Sequence, residues 1–265
     1  MSENLAFIGA GNMGGAIAEA VCRGVSPERV IVYNPTAAKS QALSARCGCV
    51  AVQSAEEAVR AGKYVILGVK PQVFDGVLRG LLPCLTGDHV IVSIAAGVPL
   101  SRIESILAEG SLDLPVVRAM PNTPVAVSQG LVLLCPNEKA EPFMADLSSL
   151  LAPCGLVERA SERDIDLGMA VFSCSPAFVY QFIEAMADGG VQLGLPRGKA
   201  QRYAAQAVLG SAAMVLGTGK HPGQLKDEVC SPGGYTIRGV HALEKAGFRA
   251  AAAEAVVIAG GADIR

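Results

Sequence analysis

Short apolar runs alternate with amphipathic segments over the first 160 residues of the chain. Runs rich in Val, Ile and Leu predict strands, and segments with apolar residues at helical spacing lie between them. Alternating strands and helices are typical of an α/β fold, so we expect an N-terminal Rossmann domain with a doubly wound parallel sheet. The strands are predicted at residues 5–8, 30–33, 50–52, 64–68, 90–94, 116–119, 130–135 and 155–158, and the helices at 13–23, 37–46, 55–61, 73–82, 100–109 and 142–151.

The pattern changes at Ser161, after which strand signals disappear. Ser161 and Asp164 have the spacing of a capping box, which predicts one long helix from 161 to 187. Pro196 begins the next helix, and the helical pattern stops near residue 216. Gly217 and Gly219 are expected to end that helix. A short helix is predicted after Pro222, followed by helices at 235–246 and 248–259.

These patterns divide the chain into a Rossmann domain over residues 1–160 and an all-α domain over residues 161–265. The helices of the second domain are apolar on more than one face. Because a surface helix of a monomer needs only one apolar face, we expect a second subunit to cover the rest.

Charge and cysteine content exclude several classes of function. The 265 residues carry a net charge of −2 and a pI of about 6.0, without a basic cluster, so no nucleic-acid partner is expected. No uninterrupted apolar stretch is long enough to span a bilayer, and no membrane association is expected. The eight cysteines form no C-x-x-C pair and have no His at zinc spacing, which indicates reduced thiols, no metal site and a cytoplasmic protein.

A glycine-rich loop follows the first predicted strand, which ends at Ile8. It reads Gly9-Ala10-Gly11-Asn12-Met13-Gly14 and opens the first predicted helix. In that context the G-x-G-x-x-G spacing predicts a dinucleotide site with contacts from Ile8 to Gly14, where a helix N-terminus receives the pyrophosphate. The alternative is a glycine-rich turn without a ligand.

The residue after the second strand indicates which dinucleotide binds. Asn34 lies 20 residues after Gly14, where NAD-preferring folds often place a carboxylate. With Thr36 and Lys39, Asn34 would suit a 2′-phosphate, so we favour NADPH, with NADH as the alternative cofactor. The alternative is that Asn34 does no more than shape the Asn-Pro turn.

Later strand ends face the same crevice, because ligands gather at the carboxyl ends of parallel strands. Small residues at one of them would let a nicotinamide ring lie close, and Lys70 could also be a plain surface lysine. The predicted cofactor contacts here are Val69, Lys70, Pro71, Ala95, Ala96 and Asn122.

A second glycine pair precedes a helix in the all-α half, within Ser231-Pro232-Gly233-Gly234-Tyr235-Thr236. Gly233 and Gly234 would either expose backbone N–H groups that suit a substrate carboxylate or form a plain turn. Thr236 lies in the first helical turn, where its hydroxyl would point either at a ligand or at the helix end as a cap.

Together these segments resemble the pyrroline-5-carboxylate reductase family. The matching blocks are Phe7–Met13, Val69–Pro71, Ala95–Val98, Arg118–Pro124, Ala187–Gly190 with Gly194–Arg197, His221–Asp227 and Ser231–Thr236. The resemblance implies reduction of 1-pyrroline-5-carboxylate to L-proline, the last step of proline synthesis, by hydride transfer to C5 of the imine. It also implies that Thr236 donates or relays the proton, that Ser231–Tyr235 hold the carboxylate, that Asn34 lies by the adenosine 2′ position, and that dimers assemble, in many members into decamers.

The chain departs from the family pattern at two places. Phe172-Ser173-Cys174-Ser175 stands where the family has Ser-Gly-Ser-Gly, and Tyr235 replaces a small residue or Thr. Substrate range is therefore less defined than reaction type. Two alternatives are a β-hydroxyacid dehydrogenase, disfavoured because residues 164–188 contain no Lys, and a non-catalytic NADPH-binding sensor.

Overall fold

The eight apolar runs form one sheet in the computed structural model, which describes residues 4–261. The spatial order of the strands is β3-β2-β1-β4-β5-β6-β7-β8, and every neighbouring pair is parallel except β6 and β7. The strands are β1 (Leu5–Ile8), β2 (Val30–Tyr33), β3 (Val50–Ala51), β4 (Tyr64–Leu67), β5 (Val90–Ser93), β6 (Val116–Pro121), β7 (Gly130–Pro136) and β8 (Gly155–Arg159).

Helices cover both faces of the sheet. Successive residues of a strand point to opposite sides, and here the residues on both sides are apolar and need to be covered. In β1, Leu5 and Phe7 belong to one apolar cluster and Ala6 and Ile8 to the other. The predicted doubly wound sheet is confirmed. The helices of this part are α1 (Asn12–Val21), α2 (Ala37–Cys47), α3 (Ala55–Ala61), α4 (Pro71–Leu81), α5 (Leu100–Glu109), α6 (Met144–Leu151) and α7 (Glu162–Met169).

The prediction of one continuous helix from 161 to 187 is wrong. The chain forms α7, then a π turn over Ala170–Cys174, then α8 (Ser175–Gln192). Pro176 explains the break, because its nitrogen has no hydrogen to donate to the carbonyl four residues earlier. The predicted capping box is confirmed, since the Asp164 N–H donates to Ser161 Oγ at 3.1 Å.

The described chain divides into two compact units between Ser173 and Cys174. Helix α7 packs against β6 and lies in the first unit, so this division falls later than the predicted one at residue 160. The domain boundary at residues 160/161 stays a prediction, and residues 1–3 and 262–265 of the predicted domains lie outside the described part.

The second unit is helical, as predicted. After α8 it contains α9 (Arg197–Thr218), α10 (Pro222–Glu228), α11 (Tyr235–Lys245) and α12 (Phe248–Ala259). Gly219, with a φ of +64°, ends α9 alone, since Gly217 lies inside the helix. Glycine adopts this left-handed conformation at the least steric cost.

The second unit has little interior of its own. Among residues 174–261, only Ala187, Ala200 and Ala204 are buried. Large apolar side chains on its helices are exposed instead, including Leu209 at 53% and Leu216 at 81%. Exposure on this scale marks an interaction surface, in keeping with the expected subunit contact.

Disulfides, metal sites and membrane-spanning helices were the remaining features to compare with the sequence. All eight cysteines are free thiols, three of them buried and five half-buried. Residues 4–261 contain no group of three or more His, Cys, Asp and Glu side chains placed to hold a metal ion. Within the same residues, every helix is too short or too polar to cross a membrane.

Candidate nucleotide and substrate sites

The loops after β1, β2, β4 and β5 lie side by side along one edge of the sheet. The Gly9 N–H donates to the Tyr33 carbonyl at 2.8 Å, and the Gly68 N–H donates to the Ile8 carbonyl at 2.9 Å. The strand order reverses between β1 and β4, which is where open α/β sheets bind ligands. The structure thus brings the predicted cofactor loops of the first unit together.

Three glycines of the first loop have different reasons to be glycine. A Cβ on Gly14 would lie 2.3 Å from the Gly9 carbonyl oxygen, and one on Gly9, whose φ is +107°, would lie 2.7 Å from the Gly68 oxygen. A Cβ on Gly11 would meet no protein atom within 4 Å. The fold therefore requires glycine at Gly9 and Gly14, whereas the open side of Gly11 suits the close approach of a ligand.

Helix α1 presents a free N-terminus at this loop. Its N-cap is Gly11, which provides no side-chain cap, and its first turn, where Asn12 and Met13 lie, contains no acidic residue. The unpaired N–H groups and the positive end of the helix dipole favour an anion here. A groove of about 390 Å³ runs from this point between α1 and α2, lined by residues that include Ala10, Asn12, Glu19, Lys39 and Arg46.

Asn34 joins the glycine loop to β2. Its Oδ1 accepts the Ala10 N–H at 3.1 Å, and its Nδ2 donates to the Thr36 carbonyl at 3.1 Å. The side chain thus shapes the turn and supports the nucleotide loop at once. In the groove between α1 and α2, Arg46 is paired with Glu19 at 3.1 Å, while Lys39 has no carboxylate partner among residues 4–261.

The later strand ends complete this edge. Val69 is half-buried, Lys70 is the exposed N-cap residue of α4, and Pro71 begins that helix. Ala95 is buried and Ala96 exposed just after β5. Both positions are small, as a closely approaching ring would require.

Asn122 follows β6 and uses its polar groups within the protein. Its Oδ1 accepts the Leu131 N–H at 2.9 Å, and its Nδ2 donates to the Phe172 carbonyl at 2.9 Å. Its backbone carbonyl accepts the Val125 N–H at 3.3 Å. The predicted cofactor contact of Asn122 stays a prediction, and the contacts present are those of a structural link.

Sequence reasoning missed Arg118 as part of this edge. Its guanidinium, with 5% of the side chain exposed, binds Glu162 at 3.0 Å and also Asp166. Burial opposes the charge, but the hydrogen bonds to Asp166 and Glu162 outweigh it and raise the pKa of Arg118. Glu162 also accepts the Leu100 N–H at 3.0 Å. An arginine inside an otherwise apolar strand was the available signal.

The second unit brings the predicted substrate residues together in one turn. The Gly234 N–H donates to the Ser231 carbonyl at 3.0 Å, and a Cβ on Gly234 would lie 2.4 Å from Ser231 Oγ. Gly233 has a φ of +69°. The positive φ therefore favours glycine at Gly233, whereas a Cβ at Gly234 would have to displace the Ser231 hydroxyl.

Helix α11 begins directly after this turn. Gly234 is its N-cap residue and provides no side-chain cap. Thr236 is exposed in the first turn, and its hydroxyl has no hydrogen-bond partner in the described part of the chain. The capping alternative for Thr236 is thus not realised. Tyr235 beside it is 91% exposed, so both side chains are available to a ligand or a partner.

Gly11→Ala and Gly14→Ala separate the two glycine requirements. We expect Gly14→Ala to lower the free energy of unfolding by about 1–3 kcal/mol, because its Cβ overlaps the Gly9 oxygen. Gly11→Ala should change stability by less than about 0.5 kcal/mol yet weaken NADPH binding at least ~10-fold. Urea unfolding and fluorescence titration with NADPH measure the two effects. Unchanged NADPH affinity in Gly11→Ala would refute a ligand over Gly11.

Two protein families match this chain, one in each half. Residues 4–97 match the family described as NADP oxidoreductase coenzyme F420-dependent. Residues 162–260 match the family described as pyrroline-5-carboxylate reductase dimerisation.

Individual relatives match nearly the whole chain. The pyrroline-5-carboxylate reductase of Escherichia coli (strain K12) is 43% identical over 259 residues, which cover 97% of this chain and 95% of that one. The solved pyrroline carboxylate reductase of Plasmodium falciparum with NADP bound has a TM-score of 0.85 and 30% identity, covering 98% and 96% of the two chains. A solved Coxiella burnetii pyrroline-5-carboxylate reductase has a TM-score of 0.87 and 32% identity, covering 98% and 97%. The resemblance seen in the sequence motifs is confirmed, and the chain belongs to the pyrroline-5-carboxylate reductase family.

Proposed function

We propose that this protein reduces 1-pyrroline-5-carboxylate to L-proline with NADPH. The proposal rests on two features of one chain: the glycine loop at Gly9–Gly14, suited to a dinucleotide, and the turn at Ser231–Thr236, whose N–H groups suit a carboxylate. The same chain is 43% identical to the Escherichia coli reductase. The β-hydroxyacid dehydrogenase alternative finds no support among these relatives. A non-catalytic sensor would bind NADPH without oxidising it.

The reaction needs a hydride at C5 of the imine and a proton at its ring nitrogen. When bound, the dinucleotide supplies the hydride. The Ser231–Tyr235 turn, with the free N-terminus of α11 behind it, holds the substrate carboxylate through backbone N–H groups. Thr236 donates or relays the proton, since its hydroxyl is exposed and unused in the described structure.

The proposed preference for NADPH rests on the end of the groove near β2. Lys39 supplies an unpaired positive charge that would neutralise a 2′-phosphate. Asn34 adds no negative charge there, and Thr36 follows it in the turn. NADH remains the second cofactor to compare.

The protein is an oligomer, and we propose that its basic unit is a homodimer. The support is the exposed apolar surface of the second unit together with its match to a dimerisation family. Assembly of dimers into a decamer is the further step that the family suggests. The proposal also places the protein in the cytoplasm, since eight free thiols suit a reducing compartment.

The activity and the role of Thr236 are tested together. Wild-type protein should oxidise NADPH only when 1-pyrroline-5-carboxylate is added. Thr236→Val, which removes the hydroxyl at constant volume, should lower kcat by about 100-fold with little change in NADPH affinity. Thr236→Ser keeps the hydroxyl and should retain most of the activity. No turnover by the wild type would refute the function, and a fully active Thr236→Val would refute the proton role.

Cofactor preference is tested at Lys39 and Asn34. Lys39→Met should raise the KM for NADPH about 10-fold and leave that for NADH unchanged, because only NADPH carries the 2′-phosphate. Asn34→Asp keeps the acceptor for the Ala10 N–H but adds a charge that repels the phosphate, so it should act in the same direction. Lys139→Met, which removes a surface ion pair with Asp113, is the control. An unaltered ratio of NADPH to NADH use in both variants would contradict the assignment.

The dimer is tested by light scattering on purified protein. We expect a mass of at least two 27.2-kDa chains, and ten chains if the decamer forms. Leu209→Asp, on the exposed apolar face of α9, should reduce the mass or prevent assembly. Leu156→Asp places the same charge at a 51% exposed position on β8 and should leave the mass unchanged. A monomeric wild type would refute the proposed assembly.

A further inference from the structure

The π turn between α7 and α8 is followed by Pro176, whose backbone nitrogen carries no hydrogen. In an uninterrupted α-helix the N–H of residue 176 would bond the carbonyl of Phe172, but Pro176 has no N–H. An unpaired buried carbonyl costs about 1–3 kcal/mol. A donor for the Phe172 carbonyl comes from another part of the first unit.

Asn122 supplies a side-chain donor to the Phe172 carbonyl. Its Nδ2 lies 2.9 Å from the Phe172 carbonyl oxygen, and its Oδ1 accepts the Leu131 N–H at 2.9 Å. The two contacts fix the orientation of the amide, because a flipped group would place two oxygens together and two N–H groups together. Asn122 is 8% exposed, so water does not replace these bonds readily.

The position of this bond relates it to the proposed reaction. Asn122 directly follows β6, at the edge where the nucleotide loops end. In a doubly wound sheet the half formed by β4, β5 and β6 receives the nicotinamide side of the dinucleotide. The amide therefore holds the backbone of residues 171–173 along the nicotinamide side of the edge.

A second link fixes the other end of the same segment. Arg118 of β6 binds Glu162 in the first turn of α7, and Glu162 also bonds the Leu100 N–H. Residues 162–172 are thus tied to β6 at both ends, by a charged pair at one end and a neutral amide at the other. Of the two links, only the amide lies at the π turn.

We infer that Asn122 is a positioning residue for the imine reduction, holding the π turn in place through the Phe172 carbonyl. This inference rests on the proposed function. It requires no contact between the Asn122 side chain and the cofactor, and it explains why an asparagine rather than an aspartate or a leucine follows β6. A displacement of the order of 1 Å at a reacting site lowers turnover by up to about 100-fold.

The test is a double-mutant cycle on Asn122 and Pro176. Asn122→Ala removes the donor, and we expect kcat to fall about 10-fold or more while the NADPH Kd changes less than about 2-fold. Pro176→Ala alone should leave activity near wild type. In the double variant the segment can return to α-helical register, in which the backbone N–H gained at position 176 bonds the Phe172 carbonyl, so most of the lost kcat should return. Asn122→Asp, which keeps the Leu131 acceptor but loses the donor, serves if Asn122→Ala does not fold.

Asn137→Ala is the matched control at the opposite end of β6. Asn137 Oδ1 accepts the Val116 N–H at 3.0 Å, and its Nδ2 donates to the Leu114 carbonyl at 3.2 Å. Asn137→Ala should lower the free energy of unfolding without lowering kcat. Adding Pro176→Ala to it should not restore the lost stability.

Three results would overturn the inference. A raised NADPH Kd in Asn122→Ala would mean direct cofactor contact, an unchanged kcat would mean a structural role alone, and failure of Pro176→Ala to rescue would mean that the Phe172 carbonyl is not the relevant partner. Hydrogen exchange of residues 171–175 reports the link without turnover, and faster exchange is expected in Asn122→Ala. A wild type inactive on 1-pyrroline-5-carboxylate would therefore overturn the proposed function separately from the link itself.

Discussion

The nucleotide edge depends on the close packing of three glycines around one carbonyl oxygen, that of Gly9. A Cβ at Gly14 would lie 2.3 Å from this oxygen and a Cβ at Gly68 2.7 Å from it. Because no side chain intervenes, α1 can begin directly against the ends of β1 and β4. The free end of α1, the groove beside α2 and the neighbouring loops all take their positions from this contact.

Polar side chains then connect the loops that the glycines bring together. Asn34 ties the loop after β2 to the glycine loop, and Arg118 and Asn122 tie β6 to the segment that leads to the second unit. Each of these three side chains makes two hydrogen bonds within the protein, which fixes its orientation. The edge is therefore organised before any ligand contributes a contact, which limits the reorganisation that binding requires.

The parts of the fold that follow from local signals could be predicted from the sequence. The alternation of apolar runs predicted the sheet, the Ser161–Asp164 spacing predicted a cap that forms, and glycine correctly marked the end of α9. What could not be predicted depends on contacts between distant residues. The π turn accepts a hydrogen bond from Asn122, 50 positions before Phe172, and the Oδ1 of Asn34 accepts an N–H 24 positions earlier. The candidate site was found as a set of residues, whereas the bonds that hold it rigid were not.

The scarcity of buried residues in the second unit has a consequence for how the protein forms. The first unit contains two extensive apolar clusters and can complete its interior as soon as its own residues are available. The described helices of the second unit bury only three alanines by themselves, so their folding free energy must come largely from association. Its stability therefore increases with protein concentration, and dilution should unfold the helices while the sheet persists. A newly made chain would pass through a state with a finished nucleotide fold and unfinished helices, in which the exposed apolar faces are open to aggregation until another chain arrives.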